Sequence, residues 1–308
     1  MAELNVNIGH WIRQNAIIYP HKIATKTGDR SFTYRQLAER MNRLAHALIA
    51  SGLKPGDRVA LYLLNGYEYV EAVFACSAAG LIAVPLNWRL SQEELVFIMK
   101  DCQPKALVFH AMFEQQAALL AAECPSVSLS LSVAHDGGPS PYESYLQTGD
   151  PSDAVNPAVG GDDPHLIMYT AGTTGTPKGV ILTHANCFWQ SVNGWALGVS
   201  PDTVALVILP MFHVGGLNGC VTPMIHIGAT VILSPKFDPA DVLETIERER
   251  VNGMVAVPAI YQMLYDHPKF NTTDLSSIVA FISGGAPLGK ELTRKYHERG
   301  LEFRQGYG

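Results

Sequence analysis

Six consecutive apolar residues, Val59-Ala60-Leu61-Tyr62-Leu63-Leu64, follow the turn Lys54-Pro55-Gly56-Asp57, and a strand apolar at every position needs cover on both faces. A parallel sheet packed between helices meets that requirement, and similar runs recur along the chain. Ile82–Pro85, Ala106–Phe109, Leu166–Tyr169, Val180–Thr183, Val204–Leu209, Thr230–Leu233, Gly253–Val257 and Ile278–Ser283 read as strands separated by helical patterns. Capping signals mark where helices begin. Thr33 with Gln36 opens a helix that carries Leu37, Met41, Leu44 and Leu48 on one face until Gly52 stops it. Ser91 with Glu94 opens another, and Asp238-Pro239 starts the helix Ala240–Arg250. Further helices are expected over about 68–79, 185–197, 216–226, 259–267 and 290–298. Residues 111–160 are weaker: one helix over 113–123 gives way to Gly, Pro, Ser and Asp around 136–141 and 150–163, which read as surface loops. The pattern predicts an α/β fold of mostly parallel sheets with right-handed crossovers.

With 308 residues, 47% hydrophobic and 16% charged, the chain can bury a large core, and a net charge of −6 lacks the positive footprint of a nucleic-acid binder. The five cysteines (Cys76, Cys102, Cys124, Cys187, Cys220) form no C-x-x-C pair and read as buried thiols of a cytoplasmic protein. Met1–Arg13 lacks the basic-then-apolar order of a signal peptide. The longest apolar stretch, Ala72–Leu86, is broken by Ser77, Gly80 and Pro85 and falls short of the ~20 residues of a membrane span.

Chemistry concentrates in Tyr169-Thr170-Ala171-Gly172-Thr173-Thr174-Gly175-Thr176-Pro177-Lys178-Gly179, between two strand-like runs. Its glycines let the backbone approach a ligand, its threonines add neutral donors, and Lys178 supplies a cation for phosphate oxygens. A P-loop differs, because there the lysine directly follows glycine and opens a helix. Here Lys178 follows Pro177 and leads into β-branched residues, so the loop joins two extended segments. Three more segments stand at the carboxyl ends of strands, where α/β sheets bind ligands: Pro210-Met211-Phe212-His213-Val214-Gly215-Gly216, Ser283-Gly284-Gly285-Ala286-Pro287-Leu288, and Gln305-Gly306-Tyr307-Gly308 after Glu302–Arg304. Gly284-Gly285-Ala286 is bare enough for a purine to lie against, or is a tight turn. Tyr307 either stacks on a base or fills a core. His213, between an aromatic residue and two glycines, reads as a pocket residue, whereas His10, His21, His46, His110, His135 and His267 read as structural.

These motifs, in this order, resemble the adenylate-forming superfamily, the AMP-binding acyl-CoA synthetases and their relatives. The resemblance implies two βα-alternating, mostly parallel sheets with helices between and outside them. Approximate subdomains are 71–195, holding the loop 169–179, and 1–70 with 196–308. It also implies an ATP-dependent acyl- or aryl-CoA ligase of fatty-acid or aryl-acid type. In that reaction a carboxylate attacks the α-phosphate of ATP, with Mg²⁺, and expels pyrophosphate; the thiol of coenzyme A then displaces AMP. Lys178 and His213 fall on the family's catalytic positions. Thr170, Ala171, Gly172, Thr173, Thr174, Gly175, Thr176, Lys178, Gly284, Gly285, Ala286, Pro287, Gln305, Gly306, Tyr307 and Gly308 fall on its nucleotide site. His213, Val214 and Gly215 fall on its acyl pocket, and apolar Val214, Leu217 and Met254 favour a fatty or aromatic acid. No residue of the chain falls on a metal ligand. The sequence stops at Gly308, short of the family's barrel subdomain, its Mg²⁺-holding glutamate and the C-terminal domain with the adenylation lysine. A fragment unable to complete the reaction is therefore expected. Three alternatives remain: an amino-acid-activating domain of a peptide synthetase, which would place an aspartate near Phe212-His213-Val214 for the substrate ammonium; a luciferase-like oxidoreductase; and a nucleotide-binding protein without turnover.

Overall fold

The computed structural model describes residues 6–134, 137–170, 177–195 and 198–306. Thirteen strands among them form two sheets. The six-stranded sheet contains β3 (Arg58–Tyr62), β4 (Ile82–Pro85), β5 (Ala106–His110), β6 (Leu129–Val133), β7 (Pro164–Thr170) and β8 (Lys178–Thr183), in the order β6-β5-β3-β4-β7-β8. The seven-stranded sheet contains β1 (Ile23–Thr27), β2 (Arg30–Thr33), β9 (Val204–Val207), β10 (Thr230–Leu233), β11 (Gly253–Ala256), β12 (Ala280–Ser283) and β13 (Phe303–Gln305), in the order β13-β12-β11-β9-β10-β1-β2. All neighbours are parallel except β1 with β2 and β7 with β8. The expected mostly parallel α/β architecture is what the chain adopts.

Alternation along the strands sorts the core into layers. Val59, Leu61, Ala83, Ala106 and Val108 of one sheet, with Ala205, Val207, Val231 and Leu233 of the other, belong to one central cluster. Their neighbours Ala60, Tyr62, Val84, Leu107 and Phe109 pack outward under the helices Gln92–Cys102 and Glu114–Glu123. On the opposite outer face Leu206, Ile208, Met254 and Phe281 pack with the helices Pro239–Glu249, Pro258–Asp266 and Lys290–His297. Helix Tyr67–Ala79 lies in the central layer with all 13 residues buried. Ten of its residues are apolar, and Glu68, Glu71 and Ser77 are buried with them.

Local signals hold where side chains reach their own backbone. Gln36 N–H donates to Thr33 Oγ1 at 3.3 Å while Thr33 N–H donates to Gln36 Oε1 at 2.9 Å, and Ser91 with Glu94 repeats the exchange. Asp238 caps its helix through the Ala240 and Asp241 N–H groups. Three expectations are corrected. The subdomain boundary placed at residue 70 falls earlier, because β3 lies inside the six-stranded sheet between β5 and β4. The stretch read as weakening after residue 123 contains β6, an edge strand whose Leu-Ser-Leu-Ser-Val sequence buries only Leu131 and Val133. The helix expected over 216–226 is a π-helix, Leu217–Val221, followed by the α-helix Thr222–Ile227.

The central layer also buries charge. Arg40 Nη2 bonds Glu71 Oε2 at 3.0 Å and its Nη1 bonds Glu143 Oε2 at 2.9 Å, while Tyr142 OH donates to Glu71 at 2.9 Å. Glu68, one turn earlier, is 4% exposed. Burial, and then the like charge of Glu71, push its carboxyl up to about 7 from 4.5. A carboxyl raised on folding takes up protons that the unfolded chain has released, so its contribution is full below about pH 4.5 and is lost as pH rises to about 7. The loss is about 3 kcal/mol. Glu68→Gln is therefore expected to be more stable than the parent by about 1–3 kcal/mol at pH 8 and nearly equal to it at about pH 4. Thermal melts of the two proteins at both pH values check this; a difference that does not vary with pH would remove the carboxyl as its source.

Candidate functional site

Parallelism brings the carboxyl ends of β9, β11, β12 and β13 to one edge of the seven-stranded sheet. Gly284–Pro287 follow β12 and Gln305–Gly306 end and follow β13, where Gly306 N–H donates to Ser283 O at 2.8 Å and Gly284 N–H to Ala256 O at 3.2 Å. The two predicted nucleotide segments are thus neighbours, joined by the Gly306–Ser283 backbone hydrogen bond. Gly285 has φ +76°, a left-handed conformation that favours glycine, and Gly285, Ala286 and Pro287 are exposed. Tyr307 and Gly308 lie outside the described residues.

The aromatic-His segment leaves the same edge after β9. His213 N–H donates to Pro210 O at 3.1 Å, and the ring Nδ1 accepts the Gly215 N–H at 3.1 Å, so the imidazole is exposed but oriented, with Nε2 facing away from that contact. Gly216 closes the turn. A Cβ there would stand 2.2 Å from Pro210 O and 2.7 Å from Leu209 O, contacts no side chain can have. The π-helix beginning at Leu217 includes the Gly219 N–H to Val214 O bond at 2.8 Å, and wide turns of this kind often occur at functional sites. Between this helix and β9, β11 and β12 lies a narrow apolar cavity of about 40 Å³, lined by Gly219, Cys220, Met224, Met254, Val255 and Ile282 among others. Of the three apolar neighbours expected from sequence, Met254 lines it, Leu217 is in the central core and Val214 is 48% exposed.

Lys178 and Thr170 are cross-strand partners at one end of the β7–β8 hairpin, and Lys178 is exposed. The loop therefore joins two extended segments, as expected. Its residues Ala171, Gly172, Thr173, Thr174, Gly175 and Thr176 lie outside the described residues. The hairpin belongs to the six-stranded sheet, so Lys178 and His213 are on different sheets. The sheets meet through residues the sequence reading did not single out. Asn65, after β3, and Trp88 and Arg89, after β4, contact the segment 209–212: Trp88 meets Phe212 edge-on at 6.2 Å and Arg89 lies over Trp88 at 4.9 Å. The only sequence signal was the Asn65-Gly66 turn at a carboxyl strand end. Of the histidines read as structural, His110 accepts the Leu64 N–H at 2.9 Å and His267 accepts the Lys269 N–H at 3.3 Å; His135 lies outside the described residues. Among the described residues no group of three or more His, Cys, Asp or Glu could hold a metal ion.

The model of the AMP-binding enzyme family matches residues 12–308. The chain belongs to that family. It is 40% identical to a feruloyl-CoA synthase of Amycolatopsis sp over 99% of this chain and 59% of the relative, and 38% identical to an indoleacetate–CoA ligase of Aromatoleum aromaticum over 98% and 60%. The N-terminal domain of FACL13 from Mycobacterium tuberculosis, solved with an inhibitor, superposes with a TM-score of 0.89 at 34% identity, covering 98% of this chain and 76% of that one. The fold is that of the N-terminal domain of adenylate-forming enzymes. The chain spans about three-fifths of the length of these curated ligases.

Because Gly216 has no room for a Cβ, Gly216→Ala is expected to displace the 209–216 turn at a cost of about 1–3 kcal/mol. Thermal denaturation checks this. Gly219→Ala is the control, since its Cβ would meet only Val214 O at 3.6 Å, and equal losses from both would contradict the steric argument.

Proposed function

We propose that this chain is the nucleotide- and carboxylate-binding part of an AMP-forming acyl- or aryl-CoA ligase. The observation that carries the proposal is the placement of two kinds of surface at one sheet edge, bare glycine segments and an oriented histidine, with an apolar cavity under the π-helix that follows the histidine. In the reaction a carboxylate oxygen attacks the α-phosphorus of ATP, taken as its magnesium complex, and the bond to pyrophosphate breaks. The thiol of coenzyme A then attacks the acyl carbon and AMP leaves. Charge accumulates on the departing pyrophosphate, so this chain's task is to supply donors and a cation where that charge forms. Lys178 and the hydroxyls of Thr170, Thr173, Thr174 and Thr176 take that role. Gly284–Pro287 and Gln305–Gly308 receive the adenine, with Tyr307 stacking on it. His213, Val214 and Gly215 face the carboxylate end of the acyl group.

The cavity lining is apolar and offers no anion for a substrate ammonium, which supports a carboxylic acid over an amino acid. The ligases of feruloyl and indoleacetate groups at about two-fifths identity support an aromatic acid. At about 40 Å³ the cavity is smaller than the roughly 150 Å³ that holds a benzene ring, so Met254 or the π-helical turn must shift to admit one. Four thiols, Cys76, Cys102, Cys187 and Cys220, are pushed up to about 12 by burial, all five cysteines are free, and no helix among the described residues is long and apolar enough to cross a membrane. These properties support a cytoplasmic site of action.

ATP–pyrophosphate exchange with ferulate, indole-3-acetate and decanoate, by a full-length ligase that carries this chain, tests the reading, and exchange above background with at least one of them is expected. Binding of ATP and ferulate without exchange would replace it by a binding protein without turnover. Lys178→Ala should lower exchange by about tenfold or more, since a charge-assisted phosphate contact contributes about 1.5–3 kcal/mol. Unchanged exchange would take Lys178 out of the site. His213→Ala should weaken carboxylate binding while ATP affinity stays within about twofold. A loss confined to melting temperature would make His213 structural.

A further inference from the structure

Asn65 stands at the carboxyl end of β3, 7% exposed, and its side chain crosses to the other sheet. Its Nδ2 donates to Leu209 O at 2.9 Å, and its Oδ1 accepts the Met211 N–H at 2.9 Å. Both hydrogen-bonding ends of the amide are used, on the two residues that flank Pro210. Pro210 O in turn accepts the His213 N–H. Pro210 has no N–H of its own to fix the strand end, so the two contacts to its neighbours define where the turn starts.

We infer that Asn65 is a positioning residue: it fixes the 209–211 backbone from the six-stranded sheet and thereby sets the place of the His213 imidazole on the seven-stranded one. The inference rests on the proposed role of His213 toward the carboxylate. The neighbouring contacts act in the same direction, because Trp88, from the next strand of the same sheet, meets Phe212 edge-on. Two adjacent loops of one sheet thus hold the aromatic-His segment of the other. A shift of Asn65 by one hydrogen-bond length would be carried to His213 through the Pro210 carbonyl. Interfaces packed this way move in steps and do not deform continuously.

Asn65→Leu keeps the volume and removes both hydrogen bonds. Asn65→Asp keeps the acceptor for Met211 N–H and loses the donor to Leu209 O. Asn42→Leu is the control, since Asn42 makes a comparable two-ended contact, to Pro151 O at 3.1 Å and from Ala154 N–H at 3.3 Å. The readouts are the His213 ring signals in NMR spectra of histidine-labelled chain, the affinity for ferulate, the affinity for ATP, and melting temperature. Asn65→Leu is expected to shift the His213 ring signals and to weaken ferulate binding about tenfold, with ATP affinity within about twofold, and Asn65→Asp to lie between it and the parent. Asn42→Leu is expected to lower melting temperature without moving the His213 signals. If Asn65→Leu melts too low to measure, Asn65→Asp alone decides. Unmoved His213 signals in either folded Asn65 variant would overturn the inference. His213→Ala without effect on ferulate would remove the reading of the site and the inference with it, whereas His213→Ala effective and Asn65→Leu ineffective would remove the inference alone.

Discussion

A parallel strand that is apolar on both faces has to be covered twice, and helix Tyr67–Ala79 meets that demand for two sheets at once. It is buried along its whole length, and the central cluster it belongs to draws side chains from the inward faces of both sheets. Once the sheets are clamped on a shared layer, the rest follows. Every second strand residue must face outward, which calls for a second set of helices on each side. The parallel strands then leave their carboxyl ends together, so loops far apart in sequence gather without any attraction of their own. Where the two sets of loops touch, at residues 65, 88 and 209–212, the aromatic-His segment is held.

Much of this was legible in the sequence because it is local. Capping boxes at Thr33 and Ser91, the proline-led helix at Asp238 and the continuous apolar strands are decided by contacts within a few residues. What escaped is decided elsewhere. β1 and β2 carry polar, half-exposed sequences, and β1 exists as a strand because β10, some two hundred residues on, gives it a partner. β6 is an edge strand and alternates leucine with serine, too weak a pattern to stand against the loops around it. The subdomain boundary was misplaced because an apolar strand at 58–62 says that it is buried but not in which sheet.

The candidate site divides in the same way. Its glycine-rich and histidine motifs are contiguous and could be read directly, and at Gly285, with positive φ, and Gly216, with no room for a Cβ, the local backbone itself requires glycine. Asn65 could not be found so easily. Its use lies in two carbonyl and amide groups more than 140 residues away, and an Asn-Gly pair at a strand end looks like any turn. The histidines show the converse. His165 and His184 are fully buried with ring centroids 5.2 Å apart, and burial holds both below the usual imidazole range, so these neutral rings serve packing while the exposed ring of His213 stands at the sheet edge.

The pairing of β1 with β10 has a consequence for the order in which the molecule can be made. All strands of the six-stranded sheet lie between residues 58 and 183, so that sheet has every partner it needs before the second sheet's main strands have left the ribosome. The hairpin of β1 and β2 is synthesised first and must wait for β10 at Thr230–Leu233 before its inner edge is paired. During that interval, at the usual ~5–20 residues per second, the nascent chain carries an open strand edge for about 10–40 seconds. Vectorial synthesis thus makes the amino-terminal hairpin the pair of strands that waits longest for its partner, and the stretch most in need of shelter while the chain is growing.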